Sequence, residues 1–149
     1  MKKTVFLIAL VSGLALIIAC RTQPAPAQPE LSTEDAFRNV YERFHQNLIL
    51  DGAEVYTVVS GDYLARIARH FYHSSYYFPI IMLASKDVVL DPDKIMPGMQ
   101  LNIPNLQANL DDPVARANIK DFLAEIAAIE DERNRPQDAE ALRGLAASL

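Results

Sequence analysis

The sequence predicts an α+β fold in which a small antiparallel sheet of two strands packs against α-helices. Residues 54–59 form a strand-like run of Val, Tyr and Thr, and residues 99–103 form a second short strand that Pro104 stops. Between them, apolar side chains recur at helical spacing from Leu64 to Phe71 and again over residues 76–84. The order is therefore strand, helix, helix, strand, with the helices covering a sheet that would be marginal alone.

This order, together with a set of residues at fixed spacings, resembles the lysin motif (LysM), a small module that binds glycans containing N-acetylglucosamine. The resemblance covers about a third of the chain. The residues that carry it are Tyr56, Thr57, Val58, Gly61, Asp62, Leu64, Ile67, Ala68, Phe78, Ile81, Asp91, Pro92, Asp93, Ile95, Pro97, Gly98, Leu101, Ile103 and Pro104.

Composition shifts divide the chain into five predicted parts. They are a lipoprotein signal peptide at residues 1–19, a lipidated cysteine with a Pro-rich tether at 20–30, an N-terminal helix at 31–52, the LysM module at 53–105 and a C-terminal helical extension at 106–149.

The first twenty residues have the pattern of an export signal. Lys2 and Lys3 precede an apolar run over residues 5–18, which is short for a membrane span. The run ends at Cys20, the only cysteine of the chain, in a context that resembles a bacterial lipobox. That resemblance implies cleavage before Cys20 and acylation, including palmitate, at this residue. An ordinary signal peptide and an uncleaved apolar anchor remain as alternatives.

Residues 21–30 predict a tether rather than a folded element. They contain three prolines among Ala and Gln and lack aromatic or large aliphatic side chains. Such a segment cannot bury a core and extends at about 3.1 Å per residue, which would hold the folded part roughly 30 Å from a lipid surface.

Residues 32–50 predict an amphipathic helix. Ser32, with Asp35 three residues later, has the spacing of a capping box, and the turn at residues 51–52 ends the pattern. One face of this helix is apolar, and its members are Phe37, Val40, Tyr41, Phe44 and Leu48.

Two further helices are predicted after the module. The first starts at Asp112 and Pro113, a favourable N-cap and N1 pair, and residues 133–136 break it before a short last helix. Its apolar stripe comprises Ala115, Ile119, Phe122, Leu123, Ile126 and Ile129, and its solvated side comprises Glu125, Glu130, Asp131 and Glu132. The last helix carries Leu142, Leu145, Ala146 and Leu149.

The second helix of the module is apolar nearly all round. Ile80 and Leu83 occupy the side that is usually polar in the LysM pattern, while Phe78, Ile81 and Met82 occupy the inner side. A helix with this distribution is normally buried on both sides. We therefore expect the flanking helices to pack against it.

The sequence offers little for catalysis, metal binding or nucleic-acid binding. The three histidines form no HExxH motif, and no free thiol remains once Cys20 is acylated. A formal net charge of −5 disfavours a polyphosphate partner. We predict a non-enzymatic protein without a cofactor. Asp91 and Asp93, with Pro92 between them, indicate turn chemistry rather than an acid pair.

The resemblance implies a shallow glycan-binding groove between two walls. In the family, backbone groups of the walls bond the N-acetyl groups, and apolar side chains contact the sugar faces. By position, the first wall is Gly61, Asp62, Tyr63 and Leu64, and the second is Ser85, Lys86, Asp87, Val88 and Val89, with Ile95 beneath. Asp62 is also predicted to cap the helix that follows it.

Three residues depart from the family pattern at or near this groove. Tyr63 stands where Thr is usual, Ser85 where Asn is usual, and Met99 where Gln is usual. Two functions follow. One is a membrane-anchored lipoprotein that binds peptidoglycan and links membrane to wall. The other is an assembly lipoprotein that binds an envelope protein and whose LysM scaffold has weak or no glycan binding. Either would face the periplasm or reside at the outer membrane.

The lipobox gives a direct prediction. Replacing Cys20 by Ala removes the acylation site, so the protein should remain uncleaved or be released, and should lose its partition into detergent. The acyl chains contribute about 0.8 kcal/mol per buried CH₂, so their loss abolishes anchoring. Mass spectrometry of the mature N-terminus and detergent phase separation measure both effects. A mature parent protein that begins elsewhere and partitions into water would contradict the prediction.

Overall fold

The computed structural model describes residues 32–149, which form an α+β fold as predicted. The predicted signal peptide, Cys20 and the tether lie outside the described residues. The elements in chain order are α1 (Thr33–Phe44), β1 (Glu54–Thr57), α2 (Leu64–Tyr72), α3 (Phe78–Ala84), β2 (Gln100–Ile103), α4 (Leu106–Asp111), α5 (Pro113–Glu132) and α6 (Pro136–Ser148).

The two strands pair in antiparallel register, from Glu54 opposite Ile103 to Thr57 opposite Gln100. The ladder ends at Thr57, two residues before the predicted end of the strand. Beyond it, only Val58 forms backbone hydrogen bonds with the other strand's side of the sheet. The Val58 N–H donates to Met99 O at 2.9 Å, and the Gly98 N–H donates to Val58 O at 2.9 Å. These bonds close the open end of the sheet and fix the loop that leads into β2.

The two helices between the strands adopt the predicted order. In α2, Leu64, Ile67 and Ala68 are buried. His73 ends this helix in the left-handed conformation, with φ of 59°, and a 3-10 turn at Ser75–Tyr77 leads into α3. The sequence pattern did not separate this turn from the second helix.

Helix α3 is enclosed on all sides, which confirms the expectation for Ile80 and Leu83. Every residue from Pro79 to Ala84 is buried, because α2 and β2 contact the helix on one side and α5 contacts it on another. At its end, the Ser85 hydroxyl accepts a hydrogen bond from the Asn102 N–H at 2.9 Å. This bond joins α3 to β2.

Helix α1 is shorter than its apolar pattern suggested. Ser32 caps it as predicted by accepting from the Asp35 N–H at 3.2 Å, but the helix ends at Phe44 and a 3-10 turn follows at His45–Asn47. The buried amide of Asn118 donates to Phe44 O at 2.8 Å. This hydrogen bond satisfies the Phe44 carbonyl, which would bond to a later N–H group if the helix continued. Leu48 is buried although it follows the 3-10 turn and is not part of the helix.

An aromatic cluster joins α1 to α5. The Tyr41 and Phe122 ring centroids lie 6.3 Å apart, and those of Phe44 and Phe122 lie 5.7 Å apart. Phe37 stacks on Tyr41 with centroids 6.2 Å apart. Aromatic pairs at these separations add to the stabilisation that burial gives. The N- and C-terminal helices therefore share one core.

Helix α4 was not predicted, and it holds the loop that precedes β1. Its residue Asn109 is fully buried. The Asn109 Oδ1 accepts from the Ile49 N–H at 2.8 Å, and its Nδ2 donates to Ile49 O and Asn105 O at 2.9 Å each. A buried amide is tolerated here because its donors and its acceptor are satisfied.

The last two helices form an antiparallel hairpin. Asp112 caps α5 as predicted, accepting from the Val114 and Ala115 N–H groups at 2.9 and 2.8 Å. Asn134, with φ of 59°, reverses the chain between α5 and α6. Within residues 32–149, no helix has the length and apolar character that crossing a bilayer requires.

The burial of α3 predicts that residues 52–105 are not sufficient for full stability. Cutting the chain to these residues exposes Ile80 and Leu83, which are 0% and 1% exposed in the fold. Exposing one such apolar side chain lowers the free energy of unfolding by about 1.5–3 kcal/mol. Urea denaturation should therefore give a lower free energy of unfolding for residues 52–105 than for Leu31–Leu149. Equal free energies of unfolding would show that the outer helices are not part of the core.

Candidate functional site

The turn between β1 and α2 is held by the carboxylate of Asp62. Its Oδ2 accepts from the Val59 N–H at 3.0 Å and from the Tyr56 hydroxyl at 2.7 Å. Both hydrogen bonds lower the pKa of this carboxyl, and the bond from the Val59 N–H has the larger effect. The prediction that Asp62 caps α2 is wrong. Tyr63 holds the N-cap position, and the carboxylate points back into its own turn.

Gly61 is needed for the shape of this turn. Its φ of +90° lies in the left-handed region that other residues rarely adopt. Its carbonyl accepts a hydrogen bond from Arg66 Nη1 at 3.0 Å. A side chain at this position would strain the turn whatever the ligand.

Tyr63 follows this turn and presents an exposed ring. The side chain is 48% exposed, and the guanidinium carbon of Arg66 lies 5.0 Å from the ring centroid. Arg66 therefore contacts both the Gly61 carbonyl and the Tyr63 ring, which orients the ring by a cation–π interaction. Leu64, the next residue, is buried under the turn.

The predicted second wall, residues 85–89, folds into a compact turn after α3. The N–H groups of Val88 and Val89 both donate to Ser85 O, at 2.9 and 2.8 Å. Ser85 and Val89 are buried, Val88 is exposed, and Lys86 pairs with Asp87 at 2.9 Å. Ile95, expected beneath the groove, is half-buried against the core.

The structure divides the predicted site residues among three clefts, and Asp62 lines the smallest of the three, of about 220 Å³, together with Tyr56 and Arg66. Tyr63 and Leu64 line a cleft of about 400 Å³. Lys86 and Asp87 line a smaller cleft of about 290 Å³ together with residues of α1, among them Tyr41. The Tyr41 hydroxyl is buried and has no hydrogen-bond partner among residues 32–149.

The largest of these clefts combines aromatic and charged walls. Tyr63 and Leu64 face the loop that leads to β2 through Pro92 and Asp93, and Tyr76 and Phe78 add further aromatic surface. The remaining wall belongs to the C-terminal hairpin, through Glu130, Arg135 and Asp138. The cleft thus has the mixture of apolar surface and a few polar groups that is typical of ligand sites.

A network of ion pairs fixes the loop at one edge of the cleft. Arg133 Nη2 lies 2.6 Å from Asp93 Oδ2 and 3.3 Å from Asp91 Oδ1. Arg135 pairs with Asp93 through both terminal nitrogens. Asp91 Oδ1 also accepts from the Asp93 N–H at 3.0 Å, which confirms the predicted turn chemistry.

Glu130 was predicted to lie on the solvated side of α5, and this prediction is wrong. The residue is 1% exposed and its Oε1 accepts from Arg133 Nη1 at 2.8 Å. Burial raises the pKa of its carboxyl above the usual value, although Arg133 and Arg135 act in the opposite direction.

Sequence reasoning missed all three hairpin residues of the cleft wall, although one signal pointed to Glu130 and another to Arg135. Glu130 follows Ile126 by four residues, which places it on the apolar stripe of α5. Arg135 and Arg133 are two residues apart, as are Asp91 and Asp93, so two short loops carry matching pairs of opposite charge.

Comparison with known proteins supports the resemblance in sequence. Residues 56–104 match the family model of the LysM domain, so the chain contains this domain over a third of its length. A segment of 52 residues is 40% identical to the potassium binding protein Kbp of Escherichia coli O6:H1. The aligned segment covers 35% of this chain and 35% of that relative. No solved structure matches the chain.

The ion pairs of Asp93 predict a dependence of stability on acid. Burial acts to raise the pKa of Asp93, but Arg135 and Arg133 outweigh it and hold the pKa below the ordinary value of 3.8. A lowered pKa adds stability above the ordinary pKa, and this stability is lost as the pH falls through the folded value. Asp93→Asn should therefore destabilise the protein at pH 7, by an amount that shrinks below about pH 4.

Urea denaturation between pH 7 and pH 3 measures this difference. Asp87→Asn is the matched control, because Asp87 is 86% exposed and pairs only with its neighbour Lys86 among the described residues. A difference between Asp93→Asn and the parent that stays constant down to pH 3 would contradict the assignment.

Proposed function

We propose that the LysM domain binds an N-acetylglucosamine-containing glycan, such as peptidoglycan, in the cleft beside Tyr63, without catalysing its cleavage. The observation that carries this proposal is the exposed Tyr63 ring at the cleft, held in place by Arg66. An oriented aromatic ring offers a flat apolar face to a sugar at little cost in side-chain freedom.

The neighbouring residues supply polar contacts of the kind that an uncharged sugar needs. Ser75 and Asp93 line the cleft together with Tyr63, whereas Asp62, half-buried in the preceding turn, lines a different cleft. Uncharged hydrogen bonds contribute about 1 kcal/mol each, so a shallow site of this type binds a short oligomer weakly. Residues 85–89 and Ile95 lie outside this cleft. They would contribute to glycan binding only by positioning the loop that carries Pro92 and Asp93.

The proposal extends to the cell envelope. Acylation at Cys20 would attach the protein to a membrane, and residues 21–30 would act as the tether. The folded part would then meet a repeating polymer while many copies share one surface. Rebinding in that arrangement is effectively intramolecular, so retention on intact wall would exceed the affinity for a short oligomer.

One observation favours the second candidate, a lipoprotein that recruits an envelope protein through a LysM scaffold. The C-terminal hairpin borders the cleft through Glu130, Arg135 and Asp138, where a LysM domain alone would leave an open edge. A groove narrowed in this way could lose its affinity for a glycan while the LysM domain keeps its fold. The two candidates differ in whether purified glycan binds.

Substitution of Tyr63 tests the proposed function. A ring that buries about 50 Å² against a sugar contributes about 1.3 kcal/mol, or roughly tenfold in affinity. Tyr63→Thr should weaken binding to a chitin oligomer about tenfold, and Tyr63→Phe should retain most of it. Calorimetry with the oligomer and sedimentation with protein-free peptidoglycan measure the two effects.

Val114→Ala is the control, because Val114 is 61% exposed and lies on α5 outside the lining of the cleft. Stronger binding after Tyr63→Thr would mean that the ring obstructs the cleft. A parent protein that binds neither oligomer nor peptidoglycan would favour the protein-recruiting candidate.

A further inference from the structure

The cleft beside Tyr63 has a wall that the LysM domain does not supply. Glu130 lies in the last turn of α5, and Asp138 lies in the first turn of α6. Both line the same cleft as Tyr63, together with Arg135 between them. The cleft is therefore built from two parts of the chain that are distant in sequence.

Glu130 keeps an acceptor without a hydrogen bond in this wall. Its Oε2 is buried and accepts no hydrogen bond from any residue of the described part of the chain, although it forms an ion pair with Arg135 Nη1 at 3.8 Å. A buried carboxylate oxygen that accepts no hydrogen bond costs free energy, so its presence needs an explanation. Contact with a donor from a ligand supplies one.

Asp138 provides a second acceptor beside it. Its carboxylate forms no hydrogen bond or ion pair within residues 32–149, and its negative charge acts on Glu130. The nearby cation Arg135, in contrast, already uses both terminal nitrogens for Asp93. The hairpin wall thus presents acceptors in excess of donors.

The charge of the lining selects among ligands. Arg69 and Arg135 are outnumbered by Asp93, Glu130 and Asp138, and Arg69 donates its Nε to Ser75 at 2.9 Å. Such a lining disfavours polyanions and suits a ligand that donates hydrogen bonds. Carboxylate groups beside aromatic rings form this kind of surface for a polyhydroxylated ring.

We propose that the C-terminal hairpin forms a second subsite of the glycan cleft, in which Glu130 and Asp138 accept hydrogen bonds from hydroxyl or acetamido N–H groups of a sugar unit next to the one that stacks on Tyr63. This inference rests on the proposed function, and it adds that recognition extends beyond the LysM domain. The occupant is an uncharged amino-sugar oligomer.

Two substitutions in the full chain test the subsite with tetra-N-acetylchitotetraose as the probe. Glu130→Gln and Asp138→Asn keep the shape of each side chain and remove the charged acceptor. Each should weaken binding about tenfold, as measured by calorimetry, because hydrogen bonds to charged groups are the stronger class. Backbone amide signals of Asp138 and Ala139 should also shift when the parent is titrated with the oligomer.

Matched controls are available on α5, the helix that carries Glu130. Glu125→Gln and Asp131→Asn make the same changes outside the cleft and remove the ion pairs with Arg43 and Arg143. They should leave binding unchanged. Glu130→Gln also weakens the contact with Arg133, so thermal melting is recorded for every variant, and Asp138→Asn decides if Glu130→Gln does not fold.

The outcomes separate this inference from the proposed function. Weakened binding by Asp138→Asn, with unchanged binding by both controls, supports the subsite. Unchanged binding by Asp138→Asn and unshifted amides at residues 138–139, while Tyr63→Thr weakens binding, overturns the subsite and leaves the proposed function in place. A parent that does not bind the oligomer overturns both.

Discussion

The structure depends on the need of α3 to be covered on all sides. Every side chain from Pro79 to Ala84 is buried, and a sheet of two strands with one neighbouring helix can cover only part of such a surface. Helix α5 supplies the remaining cover, and α1 completes the same core by packing its aromatic face on α5. The outer helices are thus a consequence of the composition of one short helix.

The ion pairs around Arg133 give this packing a definite geometry. Apolar contacts are not directional, whereas Arg133 and Arg135 place the hairpin against Asp91 and Asp93 at specific distances. Removing one partner of such pairs is destabilising, but the complete pairs add little net stability because desolvation offsets attraction. Their contribution here is to fix relative positions. They hold the loop that borders the ligand cleft at a defined place against the helices outside the LysM domain.

Most of the fold follows from periodicity in the sequence, while most of the site does not. The strand runs, the stripe of α5, the caps at Ser32 and Asp112 and the burial of Ile80 are local patterns, and the structure confirms them. Asp62 was misassigned because two donors nearer in the fold, the Val59 N–H and the Tyr56 hydroxyl, compete with the helix for the same carboxylate.

The hairpin wall of the cleft depends on contacts between residues about forty positions apart, such as those of Arg133 and Arg135 with Asp93. Local patterns do not encode such contacts. Glu130 was on the apolar stripe by spacing, but a charged residue there was assigned to solvent because the arginines that compensate its burial were not recognised. Helix α4 was missed because its single turn and a half is too short for a periodic signal.

The pairing of α1 with α5 also sets an order of events during synthesis. The aromatic face of α1 is complete after Phe44, but its partner Phe122 leaves the ribosome only much later. Until then α5 cannot contact the aromatic face of α1, which consists of Phe37, Tyr41 and Phe44. Helix α1 therefore remains an amphipathic segment without its packing partner. The packing of α1 on α5 therefore cannot form until most of the chain has emerged, and it requires the closure of a long loop, which carries an entropic cost.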